Sequence, residues 1–422
     1  MTAAVLTTAV LAPARAVPNP AFVIEGSRLL GCPVGDSAFG QTKVSAAAES
    51  ELRSAVLGGD FGEPVAAFEA ADPAAPIVFS GDQSLGAVSV AVQDSKLVAQ
   101  VCGSPVATAW WDGVWSNDVQ QSVLVLTNTD STESIVNVSL IGETGPIEAA
   151  GLRQIEIQRY STRLVSFAAF GVMQESPFSV ALHSDRGRVV GTLRSQGELG
   201  QDWRAAATAP DTDLVLPAVM PSEGQRYLFI TNHGSSRAHV ELFGLGAGPA
   251  LPLAADSTAD EVTVASQTST RVELTQALSG GLTGLEVRSD QPVTATLVAT
   301  GSDMAGVGAQ PALAGGLVLP AVPGAVLAVT NPGLDPVALT LDQRGADGQY
   351  LGSVETVVTP GSQAIPLEAS DGSYLITPGG SGLRAALIVS QVGDTAGLAI
   401  APLGSGGAVG LSVALGYDPA LG

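Results

Sequence analysis

The chain has 422 residues, 45% hydrophobic but only 5% aromatic, with 50 glycines, 26 prolines and a formal net charge of −22. That length calls for several hydrophobic cores rather than one. The charge, with two lysines (Lys43 and Lys96) against sixteen arginines, repels phosphate backbones and anionic headgroups, which argues against nucleic-acid binding and electrostatic attachment to membranes.

Residues 3–12 are an apolar run followed by Ala14-Arg15-Ala16, a small-x-small cleavage pattern with no basic residue ahead of it. Residues 1–16 are therefore expected to be a signal peptide or the remnant of a longer anchor, placing the protein outside the cytoplasm, in the cell envelope or secreted. Cys32 and Cys102 are the only cysteines, and both sit among turn residues, in Gly31-Cys32-Pro33 and Cys102-Gly103-Ser104-Pro105. In an oxidising compartment a single bridge is the simplest account, with two separate buried thiols as the alternative.

Residues 17–104 read as a divergent β unit that ends in two strands, 87–92 and 97–101, and residues 44–57 are its one helix candidate. Trp110-Trp111-Asp112-Gly113-Val114-Trp115 follows. Indole faces on an Asp-Gly turn suit stacking on sugar rings, and large side chains also suit the core between neighbouring modules. Trp203 is expected to pack between modules.

An internal repeat organises the rest. Leu214-Val-Leu-Pro-Ala-Val219 returns unchanged as Leu317-Val-Leu-Pro-Ala-Val322, about a hundred residues on. Strands ending in Thr-Asn recur at Asn128, Asn232 and Asn331, each followed by a polar turn and an alternating strand, at 135–140, 238–243 and 337–341. The Asn is a turn former, because its side chain bonds the backbone two residues on and it tolerates left-handed geometry. Further short strands match between copies, at 163–167, 270–274 and 363–367. The fold class expected is all-β: tandem immunoglobulin-like β-sandwich modules at 105–210, 211–315 and 316–422 behind the divergent unit. Gly-rich, non-alternating stretches at 197–213 and 301–316 read as linkers. The uncharged stretches 315–334 and 396–417 contain Pro and Gly and read as buried strands and turns rather than membrane spans.

Chemistry finds little to hold. His183, His233 and His239 are the only histidines, and no G-x-S-x-G elbow, zinc spacing or phosphate-cradling loop is present. Asp211, Asp213, Asp256, Asp260 and Glu261 lack calcium-loop spacing. No catalytic residue, metal or cofactor is assigned, and nucleotide chemistry is not expected.

The signal-like start, the Cys-Pro and Cys-Gly-x-Pro pair, the Trp-rich segment and the Thr-Asn strands together resemble a family of exported actinobacterial proteins known as a domain of unknown function, family 5719. The resemblance covers nearly the whole mature chain. It implies an envelope or secreted location and supplies no catalytic or binding residues. The function expected is a non-enzymatic envelope scaffold, a rod of modules that bridges partners. A cell-wall glycan-binding protein using Trp110, Trp111 and Trp115 is the alternative, and a glycan hydrolase with an unrecognised carboxylate pair is a further one. Partners are an envelope protein or cell-wall glycan, and the membrane enters only through an N-terminal anchor.

Overall fold

Short aliphatic runs bounded by Gly, Pro, Asp and Asn bury one face and satisfy their backbone groups sideways. The computed structural model follows that pattern, and describes residues 22–23, 28–33, 41–93, 96–172, 177–219, 224–253, 261–279, 281, 283–313, 315–368, 371–393, 395–404 and 412–413. The expected signal segment 1–16 lies outside them. Among the described residues there is no α-helix, only a 3-10 turn at Phe167–Phe170, and the chain is all-β. Phe22–Val23 and Ser412–Val413 pair antiparallel with each other.

Ser27–Ala408 form one compact body whose sheets fall into four groups along the chain. In the first group, residues 28–101, Arg28–Cys32, Ile77–Gly81, Gln41–Val56, Gly86–Gln93 and Lys96–Val101 lie side by side, with Val65–Ala71 also against Gln41–Val56. The second, 108–204, has two sheets. One runs Gly145–Ile147, Ser134–Gly142, Phe178–Arg186, Thr108–Val114; the other runs Ser161–Ser166, Gln120–Asn128, Val190–Gly197, Gly200–Arg204. The fourth, 317–403, repeats this with Leu317–Pro320, Ser373–Pro378, Val337–Arg344, Tyr350–Val358 and with Gly361–Pro366, Ala325–Asn331, Arg384–Val392, Thr395–Leu403. In the third, 211–308, the long strand Thr283–Thr300 joins both layers. Its first half pairs with Asp211–Val219 and Ala238–Leu245, its second with Arg226–Asn232 and Met304–Gly308.

The three Thr-Asn strands share one device. Asn128, Asn232 and Asn331 are buried, and each Oδ1 accepts from the backbone N–H two residues on, at 3.0, 2.9 and 3.0 Å. Each Nδ2 donates to the carbonyl four residues on and to a carbonyl at the end of a neighbouring strand, Ile157, Val264 or Val358. The Asn thus ties its own turn to the next strand of the layer. None of the three uses the left-handed conformation. Asn232→Ala would leave the Gly234 N–H and two carbonyls without this partner, and is expected to cost about 2 kcal/mol in urea unfolding.

The expected rod is corrected, because the four groups close on themselves. Trp203 of the second packs with Ala91 and Val98 of the first. Thr231 of the third shares a 2.5 Å hydroxyl contact with Ser179 of the second. Thr330 of the fourth donates to the Pro217 carbonyl of the third at 2.7 Å. The circle shuts where the Val318 N–H of the fourth reaches the Ser84 carbonyl of the first at 2.7 Å. Behind that bond Val88, Val90 and Leu97 share one core with Leu319, Leu327 and Leu387, so the fourth group buries the face of the first that carries them. In the middle the final strands of the four groups, Lys96–Val101, Gly200–Arg204, Met304–Gly308 and Thr395–Leu403, pack one against the next.

Two of those final strands were expected to be linkers. Gly200–Arg204 and Met304–Gly308 are buried at every residue, and burial on both faces erases the alternation that marks a strand. The helix expected at 44–57 is also corrected: it lies almost wholly in Gln41–Val56, where pairing on both flanks overrides the helical preference of its Ala and Glu residues. The uncharged stretches hold Leu317–Pro320, Ala325–Asn331 and Thr395–Leu403, and among the described residues no helix is long and apolar enough to cross a membrane.

Candidate functional site

Where the fourth group meets the first, a cavity of about 270 Å³ opens at the seam. Val88, Val90 and Val92 alternate along Gly86–Gln93, so they share one face and form one wall. Ala321, Val322 and Pro323, at the end of the second Leu-Val-Leu-Pro-Ala-Val copy, form the other with Val392. In the earlier copy Ala218 and Val219 are buried in the core that the third group shares with Ala328, Ala386, Ile388 and Ile400 of the fourth. At the seam the end of the same hexapeptide lines the cavity. Thr42, Lys43, Ser45 and Asp72 supply the polar lining. Lys43 is paired with Glu69 at 2.9 Å, and Asp72, at φ 46°, accepts from the Thr42 N–H at 2.6 Å. An aliphatic slot with an ion pair at its edge can hold an aliphatic group.

Of the two readings of the Trp segment, the rings follow packing and not a turn platform. Thr108–Val114 is a strand, not a turn, with Gly113 alone in the left-handed region. Trp111 is 2% exposed and Trp115 7%, while Trp110 is half-buried. The Trp111 ring lies in the second group's core over Gly191, and its Nε1 donates to the Arg204 carbonyl at 3.2 Å. Trp115 meets the Phe229 ring edge-on, with centroids 5.2 Å apart. The exposed stacking platform expected of these indoles is thus not formed, because packing takes up the faces of two of them. Trp203 is buried between the first and second groups, under the Arg194 guanidinium at 4.7 Å. Cys32 and Cys102 are joined in a disulfide, with Cα atoms 4.7 Å apart.

A second cluster, of buried charges, lies near the middle. The Asp112 carboxylate accepts from the Thr294 and Thr296 hydroxyls at 2.8 and 3.2 Å. Arg204 donates to the Asp112 and Gly113 carbonyls and lies 2.9 Å from the Asp202 carboxylate. Burial pushes the Asp202 carboxyl up to about 7, against the pull of Arg204. Its folded value thus lies above its unfolded one, so the stability it contributes is present below about pH 4 and is lost as the pH rises through about 7. Relative to Asp202→Asn, the native chain is expected to lose roughly 2–3 kcal/mol between pH 5 and pH 8, read by urea unfolding at each pH.

The histidines do not converge. His183 and His239 are exposed, while His233 is half-buried, with Nε2 3.0 Å from the Thr294 hydroxyl. Burial lowers the His233 pKa against the opposing pull of Asp112. Among the described residues no three His, Cys, Asp or Glu side chains gather as a metal site. Asp256 and Asp260 lie outside those residues.

The profile of a family of unknown function (DUF5719) matches residues 79–368, from the middle of the first sheet group into the fourth. The chain belongs to that family. The resemblance drawn from the Trp and Thr-Asn segments is thereby membership. No curated protein matches the DUF5719 chain in sequence. Among solved structures it is similar to an α-L-rhamnosidase of Streptomyces avermitilis complexed with L-rhamnose, at 9% identity and a TM-score of 0.15, over 82% of this chain and 53% of that one. It is also similar to the RrgB pilus protein of Streptococcus pneumoniae, at 10% identity and a TM-score of 0.11, over 69% and 61%. The DUF5719 chain thus spans about half the length of the first and about three fifths of the second.

The sequence reading missed the seam cavity and the central charges. Only the repeated hexapeptide carried a signal for the former. For the latter there was none, since Asp112, Arg204 and Thr294 come together from three segments far apart in the chain.

Proposed function

We propose that this DUF5719 chain is a non-enzymatic, exported envelope protein that serves as an interaction scaffold, and that a partner protein inserts an aliphatic side chain at its seam. The cavity between Val88, Val90, Val92 and Val322 carries the reading, because it is an apolar recess formed where the body closes on itself. The disulfide and the signal-like start support an extracytoplasmic location. An envelope protein fits this recess better than a cell-wall glycan does, since its lining is mostly aliphatic and holds no flat aromatic face on which a sugar ring could stack.

Val90→Phe, which fills the recess, tests the reading by crosslinking on intact cells that produce the full chain. The expected result is a crosslinked partner with the native chain that disappears with a variant of unchanged melting temperature. A crosslinking pattern identical in the two chains would count against the seam, and chain recovered wholly from the cytoplasm would count against export.

A further inference from the structure

The outer sheets of the second, third and fourth groups each end in an edge, and the three edges are built differently. In the second, Ser134–Gly142 is flanked by two short strands, Gly145–Ile147 and Ile155–Ile157. In the third, Ala238–Leu245 is flanked by Leu251–Pro252 and Glu261–Val264. An edge broken into short pieces is a poor template for another chain. In the fourth, one nine-residue strand, Tyr350–Val358, runs along Val337–Arg344, and no described strand pairs with its other side.

The side chains of this strand are as unguarded as its backbone. Tyr350, Leu351, Val354 and Val357 are 58, 57, 58 and 56% exposed. Glu355 is the only charge in the nine residues. Val354 lies opposite Leu341, which is buried in the fourth group's core, so Val354 points to the core side and is exposed because the strand overhangs the layer beneath. Long, apolar, lightly charged edges are where natural β proteins associate.

We propose that Tyr350–Val358 pairs antiparallel with the same strand of a second copy of this chain, about a twofold axis through Val354 and perpendicular to the sheet. The sequence is self-complementary in this register. Val354 meets Val354, Leu351 meets Val357, Gly352 meets Thr356 and Ser353 meets Glu355. Apolar residues face apolar ones on both sides of the sheet, and each Glu355 faces a hydroxyl. Moving the axis to Glu355 would set two carboxylates against each other, and moving it to Ser353 would set Glu355 against Leu351. Both alternatives are disfavoured cross-strand pairs. The pairing joins two outer sheets into one, and it does not depend on what the seam cavity holds or where the protein resides. Because each copy carries a net charge of −22, association strengthens as salt screens the repulsion between bodies.

The test is sedimentation equilibrium of the full chain at low and physiological salt, with substitutions confined to exposed positions. The native chain is expected to show a monomer–dimer equilibrium that tightens with salt. Ser353→Glu, which puts a like charge opposite Glu355 twice per dimer, is expected to raise the Kd about fivefold to tenfold. Ser353→Lys is expected to lower it, and Val354→Lys to leave a folded monomer. The two native cysteines are already bonded to each other. Val354→Cys therefore introduces a single thiol, which is expected to link two chains on mild oxidation. A native chain that stays monomeric at high micromolar concentration overturns the proposal, as does a dimer indifferent to Val354→Lys. Equal Kd values for the two Ser353 variants, or no linkage through Val354→Cys, overturn the register.

Discussion

Asp303→Ala is expected to cost on the order of 4 kcal/mol and to loosen three of the four sheet groups together. The carboxylate is 4% exposed and accepts three backbone hydrogen bonds, each from a different place in the chain or its own turn. Oδ2 takes the Leu97 N–H of the first group at 2.9 Å, and Oδ1 takes the Gln201 N–H of the second at 3.1 Å and the adjacent Met304 N–H at 2.9 Å. The fourth group passes against it as well, where a methyl group on Gly397 would stand 3.0 Å from Oδ2. Alanine leaves these buried donors without their acceptor, and an unmade bond at a buried donor costs roughly 1–3 kcal/mol. The amides of Leu97 and Gln201 are expected to lose protection in hydrogen exchange together. Asp303→Asn keeps one acceptor oxygen and is expected to fall between alanine and the native chain. Local loss confined to the Asp303 turn would mean that the carboxylate caps that turn without tying the groups together.

The sequence revealed the strands more readily than their closure. Alternation at 135–140, 238–243 and 337–341 marks half-buried strands, and these appear as Ser134–Gly142, Ala238–Leu245 and Val337–Arg344. The Thr-Asn repeat marked a turn whose hydrogen bonds form at all three copies. The strands that meet in the middle, Gly200–Arg204 and Met304–Gly308, carry Gln, Asp, Arg and Gly at positions buried on every side. Arg204 reaches the Asp112 and Gly113 carbonyls and the Gln201 N–H reaches Asp303, partners about a hundred residues away, so nothing local announces a strand. The seam joins residues 84 and 318, and no local pattern encodes a contact at that separation. Trp110–Trp115 reads as a surface platform only while the partners of those rings, Gly191, Arg204 and Phe229, remain far off in sequence. The cavity shares this limit, since its two walls come from opposite ends of the chain.

Removing the disulfide is expected to have an effect of similar size, concentrated in the first group. Cys32 and Cys102 are 70 residues apart and both buried, at 0 and 1% exposure, so the bridge closes nearly the whole first sheet group into a loop. By the loop-closure relation a crosslink of that length is worth about 4 kcal/mol through the unfolded chain. The first group needs that constraint more than the others do. Its own cluster is small, around Leu30, Val44, Leu52, Phe79 and Leu85, and the face that carries Val88 and Val90 is covered only when the fourth group closes over it. Reduction therefore weakens the seam as well as the group, since the strand that holds Val88 and Val90 runs directly into Lys96–Val101 and Cys102. The paired Cys32→Ser and Cys102→Ser variant is expected to melt well below the native chain. Proteolysis is expected to enter first within residues 28–104, ahead of any cut in the second or third groups. Uniform cleavage along the chain would show instead that the four groups unfold as a single cooperative body, with the bridge stabilising all of them equally.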